Sequence, residues 1–211
     1  MNLGQLTVGG VTFDLKLMLF IVLGTIVPML DYYDHRLTSL KAYDRVIYYF
    51  VIPMLVIFLL FREAPSAYGF QWGNWRVGLG WTAVVIIVMA LILLYFARTP
   101  AMQNYYEARA PKDAVRLIYL TGVDLFGWEF VWRGFLLFGI ARILGPGPAI
   151  MIQAIPFAFM HLGKPEIETI STIFGGIGFG FIAWQSQSFV YPWLIHWFIA
   201  SFTMLIASGR I

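Results

Sequence analysis

The chain has 211 residues, 60% of them hydrophobic, 18% aromatic and only 12% charged, with a mean hydropathy of +0.78; soluble domains carry about a quarter charged residues, so a water-soluble class is excluded. A net charge of +3 without a run of like charges leaves no arm for nucleic acid. The absence of Cys excludes disulfides, thiolate metal sites and a cysteine nucleophile. Because each membrane span takes about 20 residues, the length fits a single membrane domain, residues 1–211, with no second domain.

Residues 1–13 lack the basic start and small-residue cleavage site of a secretory signal, so the first apolar run, Leu17 to Leu30, is expected to stay in the mature chain. A wet connection carrying Asp31, Asp34, His35, Arg36, Lys41, Asp44 and Arg45 follows. Val46 to Phe61 reads as a second span with an expected kink at Pro53, tolerable where neighbours satisfy the freed carbonyl. Trp72 and Trp75 then mark an interface before the third span, Val77 to Ala97. Arg98 to Arg116 is the longest polar stretch and separates the three N-terminal spans, residues 1–116, from a second half, residues 117–211.

In that half a long apolar helix, Leu117 to Leu144, ends at the stop-and-restart punctuation Gly145-Pro146-Gly147-Pro148. A shorter segment, Ala149 to Leu162, is broken by Gly163-Lys164-Pro165, and Glu166 and Glu168 are placed to cap the next helix at its positive end. That helix, from about Glu168 to Trp184, carries Gly176 and Gly180 as a small-residue face for close packing. Phe189 to Ala207 is the last span, with Trp184, Tyr191 and Trp193 expected as interface anchors. The reading is an all-α polytopic bundle of about seven spans. Connections facing the side of the C-terminus hold nine Lys and Arg against four on the other, which places the C-terminus in the cytoplasm by the positive-inside rule.

Ionisable residues inside spans are costly and mark function. Those expected within the bilayer all follow residue 120: Asp124, Glu129, Arg133, His161 and His196. Glu129 and Arg133 stand at i and i+4 and can pair on one helix face, either as a structural ion pair or as part of a site. Carboxylates and imidazoles gathered in a low-dielectric bundle are the groups needed to activate water and to stabilise an oxyanion. The zincin spacing is absent, and neither a metal nor a cofactor is expected.

The motifs Glu129-x-x-x-Arg133, Phe157-x-x-x-His161 and His196-x-x-x-Ala200, in that order, resemble the CPBP family, which includes the CAAX prenyl endopeptidases and the bacteriocin-processing (Abi) proteins. The resemblance covers roughly Thr121 to the C-terminus. It implies a CAAX-protease-like core and a glutamic-type intramembrane peptidase in a prokaryotic inner membrane, cutting a peptide or membrane-protein substrate near the membrane surface. It also implies that Glu129, His161 and His196 are catalytic, His196 as oxyanion donor, with Arg133 and Phe157 supporting them. Two positions depart from the family. Trp128 stands where the pattern has its first, water-activating Glu, and Ala200 replaces an Asn that supplies an oxyanion donor; one such donor is typically worth about 10² to 10³ in rate. Asp124, four residues before Trp128 on the same helix face, is the expected substitute carboxylate. The alternative is an inactive member of the fold serving as a binding or scaffold subunit of a larger membrane complex. Span arithmetic adds a conflict: in a seven-span chain His161 and His196 fall at different depths, whereas the motifs require them to meet.

Overall fold

The computed structural model describes residues 4–211 and is an all-α membrane bundle with one small β-hairpin. Strands β1 (Gln5–Val8) and β2 (Val11–Asp14) pair antiparallel. Asp14 then caps α1 (Leu15–Tyr32) by accepting from the amides of Lys16 and Leu17. Helix α2 (Lys41–Phe61) contains two π-wound stretches, Ile47–Val51 and Val56–Phe61, on either side of the turn with Pro53. Widened turns of this kind are one way a helix accommodates a residue without an amide hydrogen. Helix α3 (Trp75–Phe96) is the longest uninterrupted apolar span, and the polar stretch after it folds a short α4 (Pro100–Tyr106).

Helix α5 runs unbroken through Ala114–Glu129, a π-wound Phe130–Leu136 and Leu137–Leu144. Gly145 and Pro146 turn it into α6 (Pro146–Phe159), followed by α7 (Glu166–Ser186) and α8 (Val190–Ala207). Among the described residues five helices, α1, α2, α3, α7 and α8, are long and apolar enough to cross a membrane. The chain is an integral membrane protein.

The core lies where α5 is surrounded by α1, α2, α6 and α8. From Gly127 to Ala141 every residue of α5 is buried, which accounts for a run that is apolar on all sides. Helices α6 and α7 pack closely: a side chain on Gly176 would meet Phe157 and Ala154, and one on Gly180 would meet Gln153, whose amide donates to the Gly176 carbonyl at 2.9 Å. Trp193 and Trp197 donate to the carbonyls of Gly122 and Ile118 at 2.9 and 2.8 Å, tying α8 to α5.

Several sequence expectations change. Tyr191 is buried with its hydroxyl on the Trp72 carbonyl, and Trp184 stacks on Phe138, so these aromatics turn inward rather than anchor an interface. Charge inside the bundle is not confined to the second half, because Asp31 lies within α1 and Asp44 and Arg45 within α2, with Asp31 and Asp44 buried. The depth conflict also resolves. At about 1.5 Å per residue, the 14 residues of α6 reach about 21 Å, short of a hydrocarbon core of about 30 Å. The turn before α8 is sunk into the protein, with Ser188 and Phe189 buried. The two imidazoles meet, with ring centroids 6.3 Å apart.

Candidate functional site

Four elements converge on one cluster. The last α-helical turn before the π-wound part of α5 carries Trp128 and Glu129, and the π-wound turn carries Arg133. Widened turns of this kind recur at functional sites. The end of α6 supplies Phe157 and, in the turn after it, His161; α7 supplies Phe179 and α8 supplies His196. Glu129 and Arg133 are both fully buried. A single oxygen, Glu129 Oε1, accepts from Arg133 Nη1 at 3.0 Å and from His196 Nδ1 at 2.6 Å, while Glu129 Oε2 has no hydrogen-bond partner among the described residues. The guanidinium is sandwiched between rings, 3.9 Å from the centre of Phe157 and 5.2 Å from that of Phe179, an arrangement that holds a cation by its attraction to the π faces.

Those contacts fix both imidazoles. His161 Nδ1 lies 2.8 Å from the Phe157 carbonyl, which can only accept, so Nδ1 carries the proton and Nε2 presents a lone pair. His196 Nδ1 faces a carboxylate oxygen, so a neutral His196 has the same tautomer. The two rings lie 6.3 Å apart at 29°. The backbone around His161 is held as well, because the Thr169 hydroxyl on α7 donates to the His161 carbonyl at 2.9 Å. The cluster therefore offers two imidazole lone pairs, a carboxylate behind one of them, and unpartnered buried donors on Arg133 (Nε, Nη2) and Trp128 (Nε1).

Trp128 forms one wall. It is 4% exposed, and its ring lies edge-on to His161 with centroids 6.0 Å apart, in contact also with Tyr49, Trp132 and Phe157. Asp124 does not join the histidines. Its carboxylate takes both oxygens to Arg45 Nη1 at 2.9 and 3.1 Å. Arg45 also binds Asp31 through Nε at 3.0 and 3.2 Å and stacks over Trp128 at 5.0 Å. Tyr49 donates to the same Asp31 carboxylate at 3.0 Å. This Asp31–Arg45–Asp124 network was missed at the sequence level because Asp31 and Arg45 read as part of a wet connection, whereas Asp124 lies inside an apolar run and was matched to Trp128. The one signal for it was an Asp and an Arg placed at the ends of adjacent spans. Ala200 packs against the apolar core. Two open grooves on the neighbouring face of α5 and α8 are lined by residues such as Trp193, Trp197 and Ser201 and by no member of the cluster.

Comparison with known proteins adds one finding. Residues 110–202 match the family model described as type II CAAX prenyl endopeptidase Rce1-like. Over that stretch, a little under half of the chain, the protein is similar to the CPBP family. The match spans α5 to α8 and so contains every member of the cluster, and at the level of the family it supports a CPBP-type protease. No curated protein matches the chain, and no solved structure does. The CPBP motifs thus lie on the helices that converge here, with Trp128 as the departure that touches His161.

Proposed function

We propose that the chain is a CPBP-type intramembrane peptidase that hydrolyses a peptide bond near the membrane surface, using Glu129 and His196 in place of the carboxylate that position 128 lacks. The observation that carries this reading is the 2.6 Å contact between Glu129 Oε1 and His196 Nδ1 beside the stacked ring of His161. A base whose far nitrogen is held by a carboxylate is oriented in one tautomer and stabilised once it becomes protonated, the logic of catalytic triads. In this scheme His196 Nε2 takes a proton from water and His161 Nε2 accepts the hydrogen bond of the other. The hydroxide adds to the substrate carbonyl carbon, and Arg133 and Trp128 offer N–H groups to the oxygen that gains charge. When the C–N bond breaks, His196 returns the proton to the leaving amine. His196 thus acts as base, and the oxyanion role expected of it passes to Arg133 and Trp128. The excess of Lys and Arg around the C-terminal ends of α3 and α8 supports a cytoplasmic C-terminus.

The test is cleavage of a quenched fluorescent peptide set by the purified protein in proteoliposomes. Wild type is expected to turn over, and His196→Ala, His161→Ala and Glu129→Gln are each expected to lose at least about 10²-fold, the usual worth of positioned acid–base catalysis. Equal rates in wild type and all three variants would overturn the mechanism.

One observation favours a second reading. Trp128 packs on His161 where the family pattern has its first Glu, and Asp124 is committed to Arg45. On this second reading the protein is a non-cleaving CPBP fold that binds a membrane-protein segment or joins a larger complex. That reading expects an inert wild type, a gain of cleavage in Trp128→Glu, and stoichiometric partner subunits on mild solubilisation.

A further inference from the structure

The β-hairpin before α1 has two unlike faces. Pairing places Leu6 opposite Phe13 and Val8 opposite Val11 on one face, and Gln5 opposite Asp14 and Thr7 opposite Thr12 on the other. Side chains alternate along a strand, so the first face is wholly apolar and the second wholly polar. Thr7 and Thr12 close the polar face with a hydroxyl–hydroxyl contact of 3.0 Å. Among the described residues all four apolar side chains are exposed: Leu6 is 47% exposed, Val8 59%, Val11 56% and Phe13 42%. The turn is built for permanence, since Gly9 and Gly10 both have positive φ, as a two-residue hairpin turn of the tightest kind requires.

Two features at the same end of the bundle say what covers this face. Asp14, the last residue of β2, is also the cap of α1, so the hairpin continues directly into an apolar helix long enough to span, whose Met18, Ile21, Val22 and Ile26 are exposed on the outside of the bundle. Glu63 at the end of α2 pairs with Lys16 at the start of α1, which puts the 62–75 connection beside the hairpin. That connection carries Trp72 and Trp75, both more than half exposed, as tryptophans of a membrane–water interface are. We infer that the hairpin is an interfacial wing lying flat on the bilayer, with Leu6, Val8, Val11 and Phe13 in the headgroup–acyl boundary and Thr7 and Thr12 in water. A two-stranded hairpin is marginal in water, and a lipid surface supplies the missing third layer.

The chain has no Cys, so single substitutions can be labelled cleanly. Spin labels at Val8→Cys, Val11→Cys, Thr7→Cys and Thr12→Cys are read in the full protein in phosphatidylcholine–phosphatidylglycerol vesicles, with Ile21→Cys as the lipid-facing reference. Collision with oxygen relative to a water-soluble nickel complex is expected to be severalfold higher at 8 and 11 than at 7 and 12 and to approach the value at 21. Equal, water-like accessibility at all four positions would overturn the wing. So would spin–spin broadening at 8 and 11, which would place the apolar face against a second copy of the chain.

Discussion

Glu129→Gln separates the chemistry of the cluster from its packing. One oxygen of Glu129 accepts from both Arg133 and His196, and the other is unpartnered, so a Gln can keep its carbonyl on both donors and turn its amide to the unpartnered side. Geometry and tautomer survive, and only the charge goes. Two costs follow. Arg133, fully buried, becomes an uncompensated cation, and breaking a buried pair from one side costs about 3–5 kcal/mol of stability. The imidazolium that forms on His196 during turnover loses its counter-charge; opposite charges about 4 Å apart at an effective dielectric of about 20 attract by about 4 kcal/mol, which is about 10³ in rate. Adding Arg133→Met removes the orphaned cation and puts an apolar chain between Phe157 and Phe179. The double variant is expected to recover most of the thermal midpoint but, lacking both the carboxylate and a donor to the oxyanion, none of the rate. Peptide cleavage below the lowered midpoint, normalised to the folded fraction by circular dichroism, provides the assay. Recovery of the wild-type rate in the double variant would refute the reasoning, because Glu129 would then act only by neutralising Arg133.

Other positions respond by different physics. Arg45→Ala leaves Asp31, which is 4% exposed, with only Lys41 at 3.5 Å and the Tyr49 hydroxyl at 3.0 Å, and is expected to cost up to about 3 kcal/mol. Arg45→Lys recovers only part of this, since an ammonium cannot fork between Asp31 and Asp124; thermal unfolding in detergent reads both, and full rescue by Lys would discount the fork. Gly127→Ala sets a methyl 2.7 Å from the Arg45 carbonyl oxygen and 3.0 Å from Val46 Cα; backbone cannot step aside as a side-chain tip can, so α2 must move from α5 at about 1–3 kcal/mol. An unchanged midpoint would show that α2 and α5 leave room for a methyl here. Burial pushes the Glu63 carboxyl up, but Lys16, Tyr68 and Arg142 outweigh it and hold it below the ordinary 4.5. A depressed carboxylate adds stability that is complete above its unfolded value and is lost as pH falls through its folded one. Glu63→Gln is therefore expected to lower the thermal midpoint at neutral pH and to converge with wild type as pH is taken well below 4.5; parallel curves would remove Glu63 from the ledger.

Much of the fold was legible because membrane helices announce themselves. The runs Leu17 to Leu30 and Val77 to Ala97 recur as α1 and α3 with ends shifted by a few residues, and Gly145-Pro146 broke the chain where the sequence said it would. The hairpin was passed over because its strands are four residues each and both faces looked like loop. The cluster was legible through motif spacing alone. What spacing could not reveal was partnership. Asp124 was judged by helix position relative to Trp128, whereas its partner Arg45 lies 79 residues earlier in the chain.

That partnership bears on how Trp128 is tolerated inside a membrane core. An indole in place of a carboxylate removes a charge that would need solvation and brings apolar area, but its N–H is left buried and unpartnered, a cost of about 1–3 kcal/mol. The offset comes from neighbours already present. Tyr49 meets the ring edge-on at 5.2 Å and Arg45 covers it at 5.0 Å; aromatic and cation–π contacts of this kind are each worth about 0.5–1.5 kcal/mol. Arg45 can cover the indole only because Asp31 and Asp124 hold its guanidinium in place. The ion network and the tryptophan are therefore one unit, and restoring Glu at 128 would set its carboxylate beside a guanidinium whose donors already serve two Asp. A gain of cleavage in Trp128→Glu consequently requires that the new carboxylate turn towards His161 and away from Arg45. Removing Asp124 in the same chain frees Arg45 to capture that carboxylate, so Asp124→Asn is expected to suppress any activity that Trp128→Glu creates.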